Sequence, residues 1–284
     1  MSFFQEIVQK LAAANIDSPL LETREIFAFA LHKQPAEIYS GCEVGETEKQ
    51  QILKLVQQRL RHFPLDKIIG RKGFYKSEFI TNESVLSPRP DTEILVEKAL
   101  ALLPPSSDAA VLDLGTGSGC IIESILQERP NLTGAAADIS EQALQTARQN
   151  AENLGVSQRL SFIRADWFES DFLAHFPQKF AMIVTNPPYI PQDDIKNLEP
   201  EVKDHDPLLA LSGGASGFDS YQKIAELAPF LLQDDGWILI EAGIGQARKI
   251  ADIFSARSLV LKEIAADLAG IERCVILQKK VAQL

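Results

Sequence analysis

The sequence predicts an α/β fold: a mostly parallel sheet covered by helices on both faces, preceded by a small helical module. Three observations lead there. From Val111 onward, short apolar runs alternate with stretches of helical period. A glycine-rich turn joins the first such run to the first such stretch. Before Pro64 the apolar residues recur only at helical spacing.

The elements follow in order. Phe4, Ile7, Val8 and Leu11 make one apolar stripe. Ser18-Pro19 reads as an N-cap followed by proline at the first helical position, with Leu20, Phe27, Ala28 and Leu31 on the inner face. Thr47 to Gln50 has capping-box spacing ahead of Ile52, Leu55, Val56, Leu60 and Phe63. Three such helices predict a small bundle over residues 1–63. Residues 64–90 read as a linker carrying one or two short hairpins around Gly73-Phe74-Tyr75. Ser87-Pro88-Arg89-Pro90-Asp91 breaks that pattern, and a helix starts near Asp91 or Thr92, opening a second domain over 91–284. Strands are expected at Val111–Leu114, Thr133–Ala137, Leu160–Ile163, Phe180–Thr185 and Trp237–Glu241. Helices are expected over 120–127, from Ser140 to about Asn153, after Gly217 and after Glu241, with a long polar loop up to Gly217. The last two strands, near Val260 and Val275, are joined by a short loop and so pair antiparallel.

Length and composition bound the function. At roughly 150 residues per domain, 284 residues suggest two domains. The net charge of −11 argues against a protein that draws its affinity from nucleic-acid phosphates, so no nucleic-acid partner is expected. Three separated cysteines without a CxxC, and four histidines without ligand spacing, predict neither disulfides nor a metal, and suit a cytoplasmic protein. No apolar run reaches about 18 residues, and no signal peptide is evident, so no membrane partner is expected.

The glycine turn is Asp113-Leu114-Gly115-Thr116-Gly117-Ser118-Gly119. Glycines let a backbone approach a ligand closely. A dinucleotide loop, G-x-G-x-x-G, would need glycine where Cys120 stands, so a pyrophosphate is disfavoured. Asp138 closes the second strand, placed either to accept from ribose hydroxyls or to help the helix at Ser140. Asp166-Trp167 closes the third, as an adenine contact or as a surface carboxylate beside a packed indole. Carboxylates at three successive strand ends favour adenosine binding.

Asn186-Pro187-Pro188-Tyr189 directly follows the fourth strand. The Asn side-chain oxygen and the Pro187 carbonyl are two acceptors on a rigid turn. They suit both hydrogens of an –NH2 group, aiming its lone pair at an electrophile such as the methyl of S-adenosylmethionine. Tyr189 is placed to lie against the planar amide or base bearing that group. Positioning and electrostatics then suffice, with no His or Cys nucleophile.

On these residues the chain resembles the class I S-adenosylmethionine-dependent methyltransferases, and among them the peptide-chain release factor glutamine methyltransferases of the HemK/PrmC type. The resemblance spans essentially the whole chain. It includes Gly73-Phe74-Tyr75, Pro88-Arg89-Pro90-Asp91-Thr92-Glu93, the glycine turn, the Asn-Pro-Pro-Tyr tetrapeptide and Leu209-Ala210-Leu211-Ser212-Gly213-Gly214. It implies a Rossmann-like, seven-stranded methyltransferase domain behind a substrate-docking helical domain and a hairpin linker. It implies S-adenosyl-L-methionine held by Asp113, Gly115, Thr116, Gly117, Ser118, Gly119, Asp138, Asp166, Trp167 and Asn186. It also implies that Asn186, Pro187, Pro188 and Tyr189 grip the glutamine of a Gly-Gly-Gln tripeptide in class I release factors. Arg89 and Glu93 would stand in the active-site wall or form a salt-bridged linker. Ser216 departs from the pattern, where an acidic residue is expected. Glu201, Asp204, His205 and Asp206 read mainly as solvated loop charge, and Glu241 as structural or part of the cleft wall.

Rival readings keep the chemistry or drop it. The same tetrapeptide serves glutamine methylation of a large-subunit ribosomal protein, or methylation of an exocyclic amino group on DNA or RNA. A non-catalytic cofactor-binding scaffold would not need the grip, and a nicotinamide oxidoreductase would want the other glycine spacing.

Overall fold

A computed structural model describes residues 1–280. The chain forms two units: residues 1–71 with 199–205, and residues 72–198 with those from 206 on.

The first unit is helical. Helix α1 (Phe3–Ala13) opens with a capping box in which Ser2 and Gln5 satisfy each other's backbone N–H groups. Helices α2 (Pro19–Leu31), α3 (Glu46–Arg59) and α4 (Leu65–Ile69) follow. Phe4, Ile7, Leu11, Ile26, Phe27, Ile52 and Val56 form the core. Two local expectations need correcting. Leu20 is not on the inner face of α2; it is 49% exposed, and Thr23, Ile26, Phe27 and Ala30 are buried instead. The Thr47–Gln50 capping box does not form, because α3 begins earlier with Gly45 as its N-cap. Glu46 and Glu48 fall in its first turn, where the helix dipole favours negative charge.

The second unit begins with one hairpin, β1 (Arg71–Phe74) and β2 (Ser77–Ile80). Then come α5 (Glu93–Leu102), β3 (Ala110–Leu114), α6 (Cys120–Glu128), β4 (Thr133–Asp138), α7 (Glu141–Asn153), β5 (Leu160–Arg164) and β6 (Phe180–Thr185). The long segment after β6 is not featureless: it holds the single turns α8 (Pro200–Lys203) and α9 (Leu208–Leu211). Helix α10 (Asp219–Leu231), β7 (Leu232–Glu241), α11 (Ala247–Ser255), β8 (Leu259–Ala266) and β9 (Glu272–Lys279) complete it. Strand β7 starts five residues before the expected Trp237.

The seven strands lie in the order β5-β4-β3-β6-β7-β9-β8, parallel up to β7 and antiparallel at β9 and β8. Side chains alternate across the sheet. Leu112, Leu114, Ile183 and Ile240 face one core, with α10 and α11; Val111, Met182, Val184 and Leu239 face the other, with α5 and α6. The chain reverses direction of travel between β3 and β6, and such a switch point opens a crevice at the carboxyl ends of those strands. Leu114 pairs with Thr185, so the glycine turn and Asn186 emerge side by side. Among the described residues, no helix is long and apolar enough to cross a membrane.

The segment 199–205 packs within the first unit. Arg59 is buried and ion-paired with Glu22 and Glu201. Lys67 donates to the His205 carbonyl at 2.7 Å, and Phe63 meets the His205 ring edge-on at 4.8 Å. Glu201 is thus an ion-pair partner of a buried arginine, while its own side chain stays 37% exposed. Asp206, back in the second unit, is buried and paired with Arg89 at 3.0 Å.

Candidate active site

The glycine turn is held from below by its neighbours. Gly115 and Thr116 both donate backbone N–H to the Ala137 carbonyl at the end of β4, at 2.9 and 3.0 Å. Gly117 N donates to Asp138 Oδ2 and Ser140 N to Asp138 Oδ1, each at 2.9 Å. One carboxylate therefore ties the turn to the start of α7, and both readings of Asp138 remain compatible, since each oxygen keeps a second lone pair. Burial raises the Asp138 carboxyl, against the pull of those N–H bonds. Asn150 of α7 donates to the Ser118 carbonyl at 2.9 Å.

Gly119 adopts φ +84°, and a Cβ there would fall 2.0 Å from Glu123 Oε1. Only glycine fits. Glu123 itself is fully buried, and neither carboxyl oxygen has a hydrogen-bond partner among the described residues. Burial pushes it well above the usual carboxylate range, helped by Asp113.

A cavity of about 650 Å³ opens at the switch point. Gly115, Thr116, Gly117, Ser118, Asp138, Asp166, Trp167, Asn186 and Pro188 all line it. Asp113, Gly119, Pro187 and Tyr189 do not. Asp113 is wholly buried beneath the turn, where Thr116 Oγ1 donates to it at 2.8 Å, and burial lifts its carboxyl to about 7. Asp166 accepts from Phe168 N at 2.9 Å. The Trp167 indole packs on the core, with its buried N–H unpartnered among the described residues.

Asn186 follows β6, and its Nδ2 points to Thr92 Oγ1 at 3.4 Å. Pro187 is buried. Tyr189 packs against the core, its hydroxyl pushed up to about 12 by burial. The strand-like bridge Ile190–Ser212 stitches the tetrapeptide to the Leu211-Ser212-Gly213 segment. A Cβ on Gly213 would stand 2.8 Å from the Tyr189 Cα, so the close approach demands glycine. Ser216 is exposed and does not line the cavity.

Sequence reasoning missed much of the wall. Ser84, Val85, Leu86 and Ser87, assigned to the linker, line the cavity, as do Ile139, Phe168, Leu208 and Leu209 at its exposed apolar side. Arg89 is not among the missed residues: expected in the wall or in a salt bridge, it lines the cavity and also pairs with Asp206, while Glu93 instead accepts from Tyr75 N at 2.9 Å in the hairpin turn. Thr92, quoted only as part of a motif, touches Asn186. No local pattern distinguishes these residues from ordinary loop residues.

Comparison with known proteins agrees with this architecture. Residues 83–199 match the Methyltransferase small domain, and residues 3–70 the PrmC N-terminal domain. The release factor glutamine methyltransferase of Rhodospirillum rubrum is 38% identical over 275 residues, spanning 96% of this chain and 83% of that protein. That of Cereibacter sphaeroides is 38% identical over 270 residues, spanning 94% of each. A methyltransferase structure from Pyrococcus furiosus superposes with a TM-score of 0.51 at 15% identity, over 74% of this chain and 88% of that one, a likeness of fold. With its glycine turn and its Asn-Pro-Pro-Tyr turn at one switch point, and relatives matched along almost its whole length, the chain belongs to the release factor glutamine methyltransferase family.

Proposed function

We propose that this chain transfers a methyl group from S-adenosylmethionine to the side-chain amide nitrogen of the glutamine in the Gly-Gly-Gln tripeptide of class I release factors. The observation that carries the reading is Asn186 on the cavity wall with its Nδ2 turned to Thr92, which leaves Oδ1 as an acceptor without a donor among the described residues.

The wall suits the cofactor. The glycine turn brings backbone close to the cavity, and Asp138 and Asp166 offer acceptors for a nucleoside beside the Trp167 ring. Gly115, Thr116, Gly117, Ser118, Asp138, Asp166 and Trp167 would hold it, with Asp113 and Gly119 shaping the turn from behind. S-adenosylmethionine supplies, when bound, a methyl group on a cationic sulfur.

The protein's own part is positional. Asn186 Oδ1 accepts one N–H group of the substrate amide from the cavity wall; the second acceptor in this reading is the Pro187 carbonyl, which does not line the cavity and has to be reached past the wall. The pair turns the nitrogen lone pair toward the electrophile and stabilises the positive charge that gathers on the N–H groups as the bond forms. Pro188 stiffens the turn, and Tyr189 backs it. The nitrogen then sheds one proton to water, so no protein base is required. The net charge of −11 suits a protein partner better than a nucleic acid.

The deciding experiment is methyl transfer from labelled S-adenosylmethionine to a purified class I release factor, beside one whose Gly-Gly-Gln glutamine is alanine. Label in the first only is the expected result. No label in either, with the cofactor still bound, would move the substrate to the ribosomal protein or to nucleic acid.

A further inference from the structure

An asparagine amide acts as an acceptor toward a substrate only while its oxygen faces that substrate; a flip presents a donor instead. Something must fix the flip, and the neighbours of Asn186 are suited to it. Leu114 and Thr185 end their strands together, and Thr185 pairs in turn with Ile240 of β7. Glu241, the next residue, therefore lies alongside Asn186. Its carboxyl is near the side chains of Thr92 and Asn186, and its Oε2 is buried with no hydrogen-bond partner among the described residues, an acceptor in want of a donor. The Thr92 hydroxyl also stands 3.4 Å from Asn186 Nδ2. Thr92 and Glu241 are each 3% exposed, so water does not compete for these contacts. An ionised carboxylate only accepts, so it selects the –NH2 side of the neighbouring amide.

We propose that Glu241, with Thr92 as its relay, is a positioning residue that locks the Asn186 amide with its oxygen toward the substrate nitrogen. The proposal rests on the reading of Asn186 as the acceptor. Glu241 does not line the cavity and touches no reacting atom.

The lock depends on charge. Arg273 and Cys274 face Glu241 from β9, Asp91 from the turn before α5, Tyr189 from behind the tetrapeptide, and Tyr221 from α10. Arg273 is itself paired with Asp91 at 2.9 Å and Asp267 at 3.3 Å. Burial raises the Glu241 carboxyl to about 7, against the pull of the nearby Thr92 side chain, the charge of Arg273 and the Asn186 amide. Once protonated, it becomes a donor able to serve Asn186 Oδ1, and the selection is lost. Turnover should therefore rise as pH passes through about 7.

The test combines kinetics with a readout that needs no substrate. In wild type the side-chain ¹⁵NH2 resonance of Asn186, assigned by its absence in Asn186→Ala, should titrate with a midpoint near 7; in Glu241→Gln, which keeps the volume, it should not. Glu241→Ala should lower kcat about 10- to 100-fold with cofactor affinity unchanged, Thr92→Val about 10-fold, and Thr92→Ser little. Placed on Asn186→Ala, Glu241→Ala should add almost nothing, because it acts through the group already removed. An Asn186 resonance that ignores pH would overturn the proposal, and so would an undiminished Glu241→Ala penalty in the Asn186→Ala background. If the resonance titrates but no release factor is methylated, the lock stands and the substrate assignment fails.

Discussion

A side-chain amide has two nearly equal faces, and the part Asn186 plays depends on which one meets the substrate. Asn186→Ala should cut turnover about 100-fold while cofactor affinity, measured by calorimetry, holds. Unimpaired turnover would remove Asn186 from the mechanism. Glu123 presents the opposite case: a buried carboxyl whose oxygens find no partner among the described residues, beneath a turn it does not hydrogen-bond. Its desolvation is uncompensated. Glu123→Leu, of similar volume, should raise stability by about 1–3 kcal/mol in urea unfolding.

At the scale of elements, one strand–turn–helix unit does most to shape the cavity. The turn between β3 and α6 has positive φ at Gly115, Gly117 and Gly119, and each lets the backbone bend where a side chain would resist. Gly119→Ala meets two obstacles, the backbone angle and the Glu123 carboxyl. It should cost about 2 kcal/mol or more and weaken cofactor binding. Adding Glu123→Ala should restore part of the stability by clearing the collision, while the backbone strain stays. Full restoration would mean that strain is absent there. The segment after β6 shows how an element's role escapes local reading. Its residues 199–205 are held in the helical unit by Arg59 and Lys67, while Pro207 to Ala210 and Ser212 to Gly214 line the cavity of the other.

Across the whole molecule the buried acids set a pH dependence. Asp113 and Glu241 stand at about 7, and Glu123 is raised too, all chiefly by burial. Unfolded, such groups titrate near about 4. The folded state therefore holds these protons more tightly, and the stability they contribute is full below that range and is lost as pH rises through about 7. Glu123→Gln deletes one contribution. Its Tm should exceed that of wild type by a wider margin at pH 8 than at pH 5, as calorimetry would show; a constant margin would mean that Glu123 ionises as easily folded as unfolded.

The local chemistry was legible before any coordinates. Alternating apolar runs and helical stripes specify the order of strands and helices, because periodicity is a property of neighbouring residues. The glycine turn and Asn-Pro-Pro-Tyr announce themselves for the same reason: each is contiguous, and its backbone demands are met by the residues it contains. What the sequence by itself determined was thus the α/β class, the element order and the two turns that meet at the cavity. Tertiary structure alone decided that Leu20 faces outward, that Asp113 lies under the turn and off the wall, and that Glu201 is clamped by Arg59. It alone brought Thr92 and Glu241 to Asn186. Burial, carboxyl acidity and the orientation of an amide are set by groups distant along the chain, and only the folded arrangement brings those groups within reach.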